Sequence, residues 1–151
     1  MNSKKTKEDL LQQCQNYVDQ RRNRVQDIIL DIQESLTSET KSSAGDKHET
    51  GRAMLQLERE KAGKQLAEVQ KLQEIIDRIV ITPSTQICLG SLITTSQANY
   101  FLSISVGKII SKNTPYYAIA ANSPIGKLLI GKTIGDTINF NGNTITINSV
   151  D

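Results

Sequence analysis

The sequence predicts an α+β chain: an N-terminal antiparallel coiled-coil hairpin over residues 1–82, then a small antiparallel-sheet domain over residues 83–151. Three observations predict it. Apolar residues recur at steps of three, four and seven up to Ile79, and alternate with polar residues thereafter. Charge changes at the same place. Residues 1–82 hold 14 of the 18 Lys and Arg and 14 of the 16 Asp and Glu, whereas residues 83–151 hold 4 basic and 2 acidic residues. Finally, the stretch Lys41–Arg52, with Gly45 inside it, is the one break in the periodic first eighty residues.

The first helix is read from Lys7 to about Leu36, with a seam at Leu11, Cys14, Val18, Val25, Ile28 and Ile32. No Pro or Gly precedes Gly45, so nothing stops this helix, which would be roughly 45 Å long. The second runs from about Glu49 to Ile79, with Leu55, Ala62, Leu66, Val69, Leu72, Ile76 and Ile79 as its seam. Gly63 in its middle lowers helix propensity by ~1 kcal/mol relative to Ala, which a run of this length tolerates. Two such helices joined by a short break make a hairpin with little interior. Its base is apolar at Ile75, Ile76, Ile79 and Ile81.

After Pro83, alternation predicts strands over residues 87–93, 100–106, 116–120, 136–140 and 144–150, with Asn141-Gly142 as a hairpin turn. Residues 123–131 read as a short helix, with Ser123 as N-cap, Pro124 in the first turn and Gly131 as its stop.

Composition bounds the function. A net charge of +2 selects neither a nucleic-acid binder nor an acidic tail. Cys14 and Cys88 have no Cys or His at metal spacing, so reduced thiols in a cytoplasmic protein are expected. The basic N-terminal residues lead into no apolar segment, and no run approaches the ~20 residues needed to span a bilayer. The expectation is therefore a soluble protein with no membrane association.

The break carries two carboxylates, Asp46 and Glu49, far from any apolar residue. Asp46-x-x-Glu49 has the form of a capping box at the start of the second helix, and both charges suit the positive end of its dipole. The same pair, held at the end of a long prong, is also suited to entering another protein's metal site. Two carboxylates alone make no tight Mg²⁺ site, because the ion takes six oxygens and keeps most of its waters. A partner would have to supply the remainder. The two readings coexist, since a cap that faces solvent can still bind.

Gly45-Asp46-x-x-Glu49 resembles the Gly-Asp-x-x-Glu-Asn tip motif of the bacterial Gre-type (GreA/GreB-like) transcript cleavage and elongation factors. A second match lies some eighty residues on. Ser123-Pro124-Ile125, Leu129, Gly131-Lys132 and Gly135-Asp136 resemble that family's signature Ser-Pro-Ile-x-x-x-Leu-x-Gly-Lys-x-x-Gly-Asp. The resemblance covers nearly the whole chain in the same order. It implies an FKBP-like fold for residues 83–151, which would dock at the rim of the secondary channel of bacterial RNA polymerase through Asn122, Ser123 and Pro124. It further implies that the hairpin passes down the channel. There Asp46 and Glu49 would act as catalytic and metal-binding residues, helping to position a Mg²⁺ and a water beside the nascent RNA 3′ end. The ion would be held mainly by the polymerase and not tightly by this chain alone. On that reading the chain is a monomeric accessory factor rather than an enzyme.

Two departures from the family pattern stand at the tip. Thr50 replaces the usual Asn, and Gly51-Arg52-Ala53-Met54 replaces the Ala-Glu-Tyr-His that commonly follows. Relatives of the family that enter the same channel and inhibit supply an alternative reading, a non-cleaving regulator. A third is a coiled-coil adaptor that would not need the tip acids. A prolyl isomerase would need an aromatic pocket, and the chain has no Trp and two Phe, Phe101 and Phe140, both in strands. Arg21, Arg22, Arg24 and His48 are candidate RNA contacts. Their plainer reading is a solvated surface, with Asp19 and Asp27 flanking the arginines and His48 a bystander at the tip.

Overall fold

The computed structural model describes residues 3–41 and 46–151, with the side chains of 39–41 and 46–49 outside the description. Two long helices, α1 (Ser3–Lys41) and α2 (Asp46–Arg78), lead into six strands. These are β1 (Leu92–Thr95), β2 (Asn99–Ser103), β3 (Gly107–Ser111), β4 (Thr114–Ala120), β5 (Thr137–Phe140) and β6 (Asn143–Val150). A short helix, α3 (Pro124–Leu129), sits between β4 and β5. The architecture is α+β.

The chain divides into two compact units: residues up to Tyr17 together with Glu74–Asp151, and Val18–Gln73. The division falls inside both helices. Its cause is visible in the first turns of α1, which belong with the sheet. Leu10 and Cys14 are fully buried, and Cys14 Sγ lies 3.5 Å from Ser103 Oγ on β2. Gln13 Nε2 donates to the Ile110 carbonyl on β3 at 2.8 Å. That carbonyl sits opposite Pro115, which has no N–H to offer across the ladder. Lys7 is buried too and donates to the Thr82 carbonyl at 3.0 Å. Burial lowers its pKa, with the charge of Asp151 opposing the shift.

The sheet runs β3-β4-β2-β1-β6-β5, antiparallel throughout except for the parallel pair β2 and β4. On one face Ile93, Leu102, Ile138, Ile145 and Ile147 bury against Ile125 and Leu129 of α3 and Ile87 of the preceding loop. Burying each such side chain stabilises by about 1.5–3 kcal/mol, and these set the position of α3. Phe101 and Ser103, which alternate with Leu102, face the other way, where Ser103 meets Cys14.

In the second unit α1 and α2 pair as an antiparallel hairpin around Val25, Ile29, Ile32 and Ala62, with Leu36, Leu55 and Leu66 partly buried beside them. The buried stripe of α1 includes Leu10 and Ile29 where the periodicity predicts their neighbours Leu11 and Ile28. Ile28 is 40% exposed.

The two thiols should differ in a way that checks how α1 is buried. Cys88 is exposed, whereas Cys14 is buried and its pKa is raised chiefly by that burial. Only the thiolate reacts readily, so a thiol reagent at pH 8 should label one site promptly and the second only on denaturation. Rapid labelling of both thiols in the native protein would show that the first turns of α1 do not rest on the sheet.

Candidate functional site

Two stretches carried the expectation of function, and they lie in different units. The tip pair Asp46 and Glu49, and His48 between them, have side chains outside the described residues, as does Gly45 entirely. What is described is the backbone: α2 starts at Asp46. Just beyond it, Arg52 Nη1 reaches the Leu36 carbonyl of α1 at 3.5 Å, so this departure from the family pattern turns toward the hairpin's own backbone.

Residues 122–136, the stretch expected to dock, are fully described, and most of the signature serves the fold. Ser123 caps α3: its Oγ accepts from the Gly126 N–H at 3.1 Å and donates to the Ala120 carbonyl at 2.6 Å. Pro124 opens the helix, where no N–H is needed. Ile125 and Leu129 are in the core. Gly131, at φ 84°, ends the helix in a conformation that L side chains avoid. Its N–H donates to the Ile87 carbonyl at 2.8 Å. Gly135, at φ 89°, turns the chain into β5, and the Asp136 carboxylate closes that turn by accepting from the Thr133 N–H at 2.8 Å.

What the signature leaves exposed is therefore narrow. Asn122, Pro124, Lys127 and Lys132 are exposed, and so are two large apolar side chains, Ile130 at 47% and Ile134 at 63%. An open hollow of about 380 Å³ runs along α3 and β5 beside Lys127, Ile130 and Lys132. Sequence reasoning named Asn122, Ser123 and Pro124 but passed over Ile130 and Ile134. The available signal was their place between the fold-keeping positions of the motif.

No protein-family model matches the chain, and no curated protein matches it. Among solved structures the chain is similar to that of the transcription factor Gfh1. Identity is 17%, over 93% of this chain and 92% of that chain, with a TM-score of 0.35. It is likewise similar to GreA factor homolog 1 (Gfh1) of Thermus thermophilus, at 17% identity, 93% and 94% coverage and a TM-score of 0.34.

Of the three arginines, Arg22 has a clear structural role. Arg22 donates to Asp19 at 3.0 Å and to Gln73 of α2 at 2.9 Å, which ties the two helices together. Arg21 stands 4.0 Å from Glu68, an exposed pair of little energetic weight. Arg24 is exposed. Among the described residues, no group of three or more His, Cys, Asp and Glu could hold a metal ion. No described helix is long and apolar enough to cross a membrane.

Proposed function

We infer that this chain is a transcription elongation factor of the Gre type. On this reading it docks on bacterial RNA polymerase through Asn122, Pro124 and the apolar side chains that follow. The hairpin enters the secondary channel and stimulates the polymerase's own cleavage of backtracked RNA. Support comes from the tip motif at Asp46 and Glu49, the signature over residues 123–136, and the order of a helical hairpin before a sheet domain. The observation that carries it is the folded signature. Once its core, cap and turn residues are accounted for, Asn122 and Pro124 remain exposed on a turn held rigid by Ser123 and Gly126.

The carboxylates of Asp46 and Glu49 would be ligands to a Mg²⁺ held mainly by the polymerase, whose chemistry is to polarise the phosphodiester and orient a water. This chain would then contribute ligands and position without an active site of its own.

Adding purified chain to stalled elongation complexes of its cognate polymerase tests the reading, with shortened transcripts as the expected result. Binding without shortening would favour the non-cleaving regulator, with Thr50 at the tip as the first residue to revert. Absence of binding would remove the Gre-type reading.

Docking and folding should separate within one turn. Replacing Asn122 and Pro124 together by Ala is expected to weaken association at least about tenfold while changing stability by less than about 1 kcal/mol, since both are exposed. Ser123→Ala should instead cost about 1 kcal/mol of stability, through loss of the cap. Measuring polymerase affinity and the melting curve for each variant checks this. Association that survives the double change would move docking elsewhere.

A further inference from the structure

Away from α3, one line of side chains runs from the margin of the core out to the edge of the sheet. Tyr100 on β2 pairs in register with Tyr117 on β4, and Tyr117 pairs with Lys108 on the edge strand β3. Lateral partners project from the same face of a sheet, so these three side chains form one row across three neighbouring strands. It is the face that carries Leu102 and Ile119, which lie in or against the core that α3 covers. At the row this cover runs out: Tyr100 is half-buried, Tyr117 is 40% exposed and Lys108 is exposed. The two rings stand 6.2 Å apart at 44°. Beside Tyr117, at the leading ends of β2 and β4, an open hollow of about 270 Å³ is lined by Thr95, Gln97, Asn99 and Pro115 among others.

We propose that this row is a stacking site for an unpaired nucleobase of single-stranded RNA. The exposed ring of Tyr117 offers a π-face that any base can stack on, with Tyr100 supporting it from the core side. Gln97 is exposed and carries both donors and an acceptor, which suits the edge of a base that has left its pairing partner, while the Asn99 amide donates to the Pro115 carbonyl and shapes the hollow. Lys108, in register with Tyr117, supplies a cation for the adjoining phosphate. Little opposes a phosphate here, because residues 83–151 hold two acids, Asp136 and Asp151, and neither lines the hollow. A proline-rich peptide also stacks on tyrosines. The Gln97 amide and the single positive charge of Lys108 favour a base and its phosphate over such a peptide. This inference goes beyond the tip and docking reading and does not depend on it.

Fluorescence anisotropy of labelled eight-nucleotide oligo-U and oligo-A RNAs with the full chain tests the site, at two salt concentrations. Binding is expected to weaken about fivefold or more in Tyr117→Ala and to stay within about twofold in Tyr117→Phe, which keeps the ring. Lys108→Gln should lower the slope of log affinity against log salt by about 0.7. Thermal melting should show Tyr117→Ala folded, since that side chain is exposed. RNA binding that ignores Tyr117→Ala would overturn the proposal, and so would no RNA binding up to millimolar chain. Capture of a proline-rich peptide by the wild type but not by Tyr117→Ala, without RNA binding, would assign the row to peptides instead.

Discussion

Asp46→Asn is expected to lower stimulated transcript cleavage by about 10²–10³-fold while association with the polymerase stays close to wild type. The magnitude is that of losing one preorganised electrostatic element beside a reacting centre. A carboxylate brings a negative charge and a strong lone-pair ligand to Mg²⁺, whereas the isosteric amide brings a neutral, weaker oxygen. The substitution is chosen because it discriminates. α2 starts at Asp46, and trading Asp for Asn in a first turn loses only the charge–dipole interaction, about 0.3–1 kcal/mol, so the fold has little to lose. If the two carboxylates only cap α2, Asp46→Asn should be nearly silent in every assay. Glu49→Gln should parallel it, because Gln also completes a capping box. Cleavage assays on stalled complexes, run beside a binding measurement, decide the matter. Undiminished cleavage in Asp46→Asn would sink the carboxylate mechanism. Equal loss of binding and cleavage would sink the separation between tip and docking segment.

The long helices were legible because period and uninterrupted length agree over tens of residues. Their buried stripe was legible only to within one position. Leu10-Leu11 and Ile28-Ile29 are adjacent apolar pairs, and a helix turns 100° between neighbours, so periodicity alone cannot choose between them. Ser123, Pro124 and Gly131 were placed correctly at the ends of α3, because cap and stop residues act through local backbone geometry. The strand β3 was missed. Its turn into β4 is Lys112-Asn113, both at positive φ without a glycine to advertise it, unlike the Asn141-Gly142 turn between β5 and β6.

The run from Ile87 to Ile93 alternates like a strand, yet β1 starts at Leu92. Ile87 is buried from a loop, and Cys88 to Ser91 form a turn closed by Ser91 Oγ accepting from the Cys88 N–H. Alternation records which side chains go inward, not whether a neighbouring strand pairs with them. For the candidate site, motif positions were legible, but their division of labour was not. The cap role of Ser123 could be read from the motif, but nothing in Ser-Pro-Ile-x-x-x-Leu-x-Gly says that Ile130 faces outward while Ile125 and Leu129 are buried.

The largest stability effect is expected from a methyl group. A Cβ on Gly126 would stand 2.0 Å from the Ala120 carbonyl oxygen and 3.0 Å from that of Ala121. These are backbone atoms at the end of β4, and they cannot rotate aside. Gly126→Ala should therefore lift α3 off the sheet. That would pull Ile125 and Leu129 from the core and break the Ser123 cap, whose hydroxyl bridges Ala120 and Gly126. Overpacking against movable side chains costs about 1–3 kcal/mol, and against fixed backbone the loss should lie at or beyond roughly 3 kcal/mol. Gly63→Ala supplies the contrast. There the nearest atom is the end of the Arg59 side chain at 3.3 Å, which can swing away. The gain in helix propensity, about 1 kcal/mol, then has nothing to offset it. The same chemical change should lower the stability of the sheet unit and raise that of the hairpin, as read by hydrogen exchange or thermal melting resolved for each unit. A Gly126→Ala protein within about 1 kcal/mol of wild type would mean that α3 does not press on the end of β4 as described.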